Sequence, residues 1–267
     1  CIAQAVGAKD KEKLRYCIGN TVTVFFIVSL LLTGLLLFFT DFIVAVVKTP
    51  DEAVAGTKEY LIICFIGIPL ITAYNIVSSI LRGMGDSKSP MYFIAIACVA
   101  NIILDYVFIG YFKLGAVGAA LGTTLSQGIS VICALTYINR NNSSDSFSFA
   151  YLKLKGNIAK RLLRIGIPIC AQDGFIQVAF MVITVIANMR GLTDAAAVGI
   201  VEKLISFIFL VPSSMLSTVS AMGAQNIGAG KIDRAKQTLR YAILITFIFG
   251  VIVGILFQFI AENALEL

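Results

Sequence analysis

Residues 101–127 read NIILDYVFIGYFKLGAVGAALGTTLSQ. One acid, Asp105, sits inside an apolar run that starts near Met91 and ends near Tyr111. A glycine-rich helix start follows at once, with Gly115, Gly118 and Gly122. Even the mildest insertion scales put a carboxylate in lipid at a cost of about 2.5 kcal/mol, so an acid in such a run marks a functional candidate. The plainer alternative is that Asp105 is a structural hydrogen-bonding residue that locks two helices together.

Working outward, the whole chain has the same apolar character. Hydrophobic residues make up 58% and charged residues 13%, about half the charged share of an ordinary soluble domain. Mean hydropathy is +0.92. Several runs reach the roughly 20 residues that cross a bilayer core, and none shows the alternation of a barrel strand. An all-α polytopic membrane protein is therefore expected. Seven spans are predicted, at 17–47, 59–81, 91–112, 115–138, 162–188, 195–223 and 239–261. Thr49-Pro50-Asp51-Glu52, the segment 82–90 (RGMGDSKSP) and the polar segment 139–160 punctuate them, and GLTDA (191–195) turns the chain before the sixth.

The net charge of +6 reads as topology, because the basic residues lie in loops between spans. Sixteen fall on one side: Lys9 to Arg15, Arg82 and Lys88, Arg140 to Arg164, and Lys231 to Arg240. Only Lys48, Lys58, Lys113 and Arg190 fall on the other, and Lys203 is left inside a span. The first group is expected in the cytoplasm, with loops 9–15, 82–90, 139–160 and 229–240. No nucleic-acid partner is expected. The six cysteines are scattered singly and there is no histidine, so they read as small apolar side chains. GMGDSK (83–88) is not a phosphate-binding loop, and neither HExxH nor GxSxG is present. An enzyme is therefore not expected. Cys1 stands where a start methionine would, AQAVGAK reads as the tail of a helix, and ENALEL stops just after a span. An internal fragment of a longer chain is expected.

The chain also repeats itself. AQAVGAKDKEKLR (3–15) aligns without gaps to AQNIGAGKIDRAK (224–236), six spans apart. Equal orientation of the copies points to parallel repeats of six spans, with 139–160 as the joint between halves.

NIILD followed by GAVGAALGTT resembles the fifth-to-sixth span signature of the multidrug and toxic compound extrusion (MATE) family. ILRGMGDSKSPM (80–91) resembles that family's link from span four to five. GIPICAQ (166–172) resembles its span-seven start, and AQNIGAGKIDRAK its link from span eight to nine. Tyr106 departs from the pattern, since the family often has proline after the acid, and its absence removes an expected kink. The resemblance implies an N-terminal bundle over 1–138 (end of span two to span six), a cytoplasmic linker over 139–160 and a C-terminal bundle over 161–267 (spans seven to nine), out of twelve spans. It implies a secondary antiporter of the cell membrane that exports amphipathic, often cationic drugs in exchange for Na⁺ or H⁺. A monomer in lipid, with no cofactor beyond the coupling ion, is expected.

Asn101 and Asp105 are four residues apart and share a helix face. A carboxylate, an amide oxygen and a hydroxyl make a hard-oxygen seat, the chemistry that suits Na⁺ or an exchangeable proton. The resemblance places a first-lobe cation site on Asn101, Asp105 and Thr123, with Asn75 a weaker match, and no other metal site. In the second lobe Gln172, Asp173, Gln177, Glu202 and Lys203 are candidates for a substrate or ion network. Some family members carry an acid where Gln177 stands, and glutamine cannot titrate. Asp173 or Glu202 is expected to neutralise Lys203; a buried ion network that only fixes helix packing is the bland alternative. The competing function is a lipid-linked precursor or polysaccharide flippase of the same superfamily. It is disfavoured because Lys203 is the only basic residue well inside a span.

Overall fold

A computed structural model of the chain describes residues 1–46, 51–140, 149–152 and 155–265. Among these the fold is all helix, with no strand. In chain order the helices are α1 (Ile2–Gly7), α2 (Lys11–Phe38), α3 (Thr40–Val46), α4 (Asp51–Met84), α5 (Lys88–Asp105), α6 (Gly115–Arg140), α7 (Gly156–Arg190), α8 (Leu192–Gly228) and α9 (Ile232–Leu265). A π-helical segment, Tyr106–Tyr111, continues α5, and a 3₁₀ turn, Phe149–Leu152, precedes α7. Lys48, Thr49, Pro50, Lys153 and residues 141–148 of the linker lie outside the described residues.

Among the described residues, seven helices are long and apolar enough to cross a membrane. Their bounds correct the sequence expectation in two places. The run 17–47 is not one helix: α2 ends at Phe38, and Phe39 leaves the helical conformation before α3. The Thr40 hydroxyl then donates to the Leu36 and Leu37 carbonyls in the last turn of α2. The turn expected at 191–195 shrinks to Gly191, with φ 130°, and the rest of GLTDA is already helical.

The repeat is visible in backbone geometry. After α1, Lys9 takes φ 55° and the Asp10 N–H donates to the Ala5 carbonyl at 3.1 Å. After α8, Gly230 takes φ 73° and the Lys231 N–H donates to the Asn226 carbonyl at 2.8 Å. These are matched positions of the two copies, and both close a left-handed helix cap with a six-to-one bond. The following helices begin at matched residues as well, Lys11 and Ile232. The α4 end uses the same device: Gly85 has φ 100° and the Asp86 N–H donates to the Leu81 carbonyl at 2.9 Å.

The chain divides into two units, Cys1–Val6 with Asp10–Ala159, and Gly7–Lys9 with Lys160–Leu267. In the first unit α6 packs between α4 and α5, and α2 packs on α4. Tyr74, Val77 and Leu81 of α4 meet Phe93 of α5 and Ala134 and Ile138 of α6 in one buried cluster. Ile18 of α2 meets Ile76 and Ile80 in another. Pro69 has no N–H, so the Phe65 carbonyl four residues back loses its helical donor. The Thr33 hydroxyl of α2 donates to that carbonyl at 3.2 Å, tying α2 to α4 where α4 is weakest. In the second unit α8 packs along α9.

Candidate functional site: the seam between α5 and α6

The two helices meet along stripes spaced four residues apart. On α5 the stripe is Ser89, Phe93, Ala97, Asn101 and Asp105; the first three are buried and the last two half-buried. On α6 it is Gly118, Gly122, Ser126, Ser130 and Ala134, all buried. Rows of i and i+4 residues form the ridges by which helices interlock. Small residues on α6 let the α5 ridge approach closely. A β-carbon on Gly118 would press on Phe108, and one on Gly122 would collide with Asp105 Oδ1. Asp105 therefore lies against bare backbone of α6 in the protein seam.

Asp105 Oδ1 and Asn101 Nδ2 are both buried and have no hydrogen-bond partner. Buried polar atoms are almost always bonded, so two orphans one helical turn apart are unusual. An asparagine oxygen and nitrogen differ only by rotation of the amide. The Asn101 side chain can thus present either a donor or a second oxygen beside the carboxylate. Immediately after Asp105 the helix widens. Tyr106 keeps its N–H on the Ile102 and Ile103 carbonyls, and Phe112 donates five residues back to Val107 at 2.9 Å. Where the family often has proline, this chain has a π-helical turn, a feature frequent at functional sites.

The other two first-lobe candidates stand apart from this pair. Thr123 follows Gly122 on α6 but is exposed, and no hydrogen bond joins it to Asp105. Its carbonyl accepts from the Ser126 hydroxyl at 2.8 Å. Asn75 is exposed on α4 and its amide donates to its own helix, to the Ile71 carbonyl at 2.9 Å.

In the second unit, Gln172, Asp173 and Gln177 are exposed on α7. Asp173, Gln177 and Thr184 follow spacings of four and seven and so share one stripe. The Thr184 hydroxyl donates to Glu202 Oε1 at 2.9 Å, which aims that stripe at α8 at the level of Glu202. The expected neutralisation of Lys203 is not made. Among the described residues, Lys203 pairs with neither Asp173 nor Glu202. The reason is helical phase: Lys203 is rotated about 100° from Glu202, and Asp173 lies about 16 Å along the helix from Thr184.

In the sequence Gly122 stands only as part of a glycine-rich helix start, and nothing local sets Ser126 and Ser130 apart. The signal that finds them is the four-residue spacing carried across from the α5 stripe.

A sequence profile for the family described as MatE matches residues 1–107 and 168–267. A "Probable multidrug resistance protein YoeA" of Bacillus subtilis (strain 168) is 32% identical over the full chain, which spans 59% of that relative. A "Probable multidrug resistance protein YpnP" of the same organism is 36% identical over 76% of this chain and 47% of its own length. The solved structure titled "Crystal structure of MATE in the bent conformation" superposes with a TM-score of 0.90 at 23% identity, over 98% of this chain and 59% of that one.

Proposed function

The chain belongs to the MatE family and is part of a multi-pass membrane transporter, and on that footing we propose that the whole protein is a secondary antiporter exporting amphipathic, often cationic compounds. The curated relatives named above carry multidrug resistance in their printed names. The chain spans 59% and 47% of the lengths of these two relatives, so the activity of the whole protein is part of this proposal. The coupling ion is Na⁺ or H⁺, and its first-lobe seat is the α5–α6 seam at Asp105 and Asn101. The protein sits in the cell membrane with its basic loops in the cytoplasm, and 139–160 joins the two bundles.

One observation carries the seat: Asp105 Oδ1 and Asn101 Nδ2, one helical turn apart, are both buried with no protein partner. A bare carboxylate in that seam is costly, and a bound Na⁺ or a proton removes the cost. Thr123 is one helical step from the seam and joins the site only if α6 rotates. The seat therefore favours occupancy whenever it is shielded from water, and it releases its cation only where water or a cationic substrate replaces it. That difference between states is what couples an ion gradient to export. Glu202 with Thr184 is the better-placed second-lobe pair, since the two already share a hydrogen bond.

The test is dye export from vesicles holding the full-length protein, with Na⁺ and pH gradients imposed separately, for wild type and Asp105→Asn. Export driven by one gradient, and lost in the variant, is expected. Full gradient-driven export by Asp105→Asn would remove the seat from Asp105. Lipid scrambling without dye export would replace the antiporter reading with a flippase.

A further inference from the structure

Away from the seam, the α1–α2 hairpin brings two thiols together. Cys1 Sγ lies 2.8 Å from Cys17 Sγ, across the turn at Lys9 and Asp10. Cys17 is fully buried (0% exposed) and Cys1 is half-buried. The turn between them is held rigidly. Its left-handed cap is closed by the Asp10 N–H bond to Ala5, and the Asp10 carboxylate caps α2 by accepting from the Lys13 N–H at 2.9 Å. The fifteen intervening residues are therefore already folded with the sulfurs in contact. Cys64, Cys98, Cys133 and Cys170 form no such sulfur contact among the described residues. Nor is the pairing a property of the repeat, because the positions matched to Cys1 and Cys17 hold Met222 and Thr238.

We propose that Cys1 and Cys17 form a reversible redox pair that staples α1 to α2 when the cell meets hydrogen peroxide. The more accessible Cys1 is the first thiol to react. Its thiolate attacks a peroxide oxygen, the O–O bond breaks, and one water leaves with Cys1 as the sulfenic acid. Cys17, the resolving thiol, then attacks the Cys1 sulfur. The S–S bond forms, the S–O bond breaks, and a second water carries off the Cys17 proton. Two thiols lose two electrons and the peroxide gains them; a cellular dithiol reverses the change. The staple joins the start of α1 to the part of α2 that carries the Ile18–Ile76–Ile80 cluster, against which Ile2 also packs, so it stiffens that cluster.

Trypsin makes the test direct, because Lys9, Lys11, Lys13 and Arg15 separate the two cysteines into different peptides. The full-length protein in native membranes is treated with hydrogen peroxide, alkylated, digested and weighed. The expected product is the Cys1 and Cys17 peptides joined and two hydrogens lighter than their sum. Dithiothreitol separates it, and Cys17→Ser or Cys1→Ser lacks it; two variants guard against one that fails to accumulate. The exposed Cys98 reports that oxidant reached the protein. Oxidised Cys98 alongside unlinked Cys1 and Cys17 overturns the pair, and so does linkage of either to a third thiol.

Discussion

Gly122 is the floor under Asp105: the carboxylate rests where a β-carbon on residue 122 would have to go. Gly122→Ala is therefore expected to push Asp105 out of the seam, at a stability cost of about 1–3 kcal/mol as overpacking usually gives. Gradient-driven export should fall with it, approaching the level of Asp105→Asn. Gly128→Ala is the control, since its nearest neighbour, Leu70 Cδ1, stands at an ordinary 3.7 Å. Export rates of the three variants, each normalised to folded protein, check the outcome.

In the link between α4 and α5, Asp86 holds together three parts of the first unit. It accepts from the Ser89 hydroxyl at 2.6 Å, the Ser89 N–H at 3.0 Å, the Lys88 N–H at 3.2 Å and the Tyr137 hydroxyl of α6 at 3.0 Å. Burial pushes the carboxyl up, but the bonds from Ser89, Tyr137 and Lys88 outweigh it and hold its pKa below the usual carboxylate range. A group depressed in the folded state stabilises above its unfolded pKa of about 3.9 and loses that contribution as pH falls through the folded value. Asp86→Asn should thus cost about 1–2 kcal/mol near neutral pH. The gap from wild type should hold down to about pH 5 and close below pH 4. Thermal midpoints of both proteins across pH in detergent provide the check.

At one matched position the two copies of the repeat share a backbone conformation but differ in residue type, which gives a paired prediction. Gly230 and Lys9 occupy the same place and both have positive φ. Gly230→Ala introduces a Cβ into a left-handed conformation and is expected to cost about 1 kcal/mol. Lys9→Ala replaces one residue with a Cβ by another and should change stability by less than about 0.5 kcal/mol. Thermal midpoints in detergent separate the two; equal losses would contradict the matched cap geometry.

Seven spans were legible because hydropathy alone marks a helix that must satisfy its backbone inside lipid. The pairing of Asn101 with Asp105 on one face was legible for the same kind of reason, since a four-residue spacing needs no tertiary information. What was not legible depends on neighbours. Whether a glycine stripe is mere packing or a floor for a carboxylate is set by the register of α5 against α6. Whether Lys203 meets Glu202 is set by which side of α8 faces α7, and adjacent residues cannot both face it. The break at Phe39 has no proline or glycine to announce it. The docking of Tyr151, Leu152 and Lys155 on α2 rests largely on their backbone groups, which every loop sequence carries alike.

Thr33 supports the carbonyl that Pro69 leaves exposed on Phe65. Thr33→Val keeps the shape and removes the hydroxyl, so it should cost about 1 kcal/mol. In a Pro69→Ala background the Phe65 carbonyl regains a helical N–H donor, and the same substitution should then cost little. The double-mutant cycle measures this coupling directly. Additive effects would mean that the hydroxyl contributes through other contacts.

The linker is anchored where it passes α2, and the anchor is built from both backbone and side chains. The Gly19 α-carbon lies against the Tyr151 carbonyl, leaving no room for a Cβ. The Asn20 side chain, fully buried, accepts from the Lys155 N–H at 2.8 Å, and the Thr23 hydroxyl donates to the Leu152 carbonyl at 2.9 Å. Tyr16 and Tyr151 meet edge to face at 5.0 Å, and the Lys155 ammonium sits 3.1 Å over the Tyr16 ring. Each contact is modest, but all depend on the same close approach, so they should fail together. Gly19→Leu is expected to release the strap, and Asn20→Leu to release it partly by leaving the Lys155 N–H without its acceptor. Lys155 then becomes a faster tryptic site. The check is the cleavage rate after Lys155 in folded, full-length protein, compared with cleavage after Lys231, whose turn lies in the other unit. A selective rise at Lys155, larger for Gly19→Leu, is the expected result; equal rises at both sites would show general unfolding instead of a released strap.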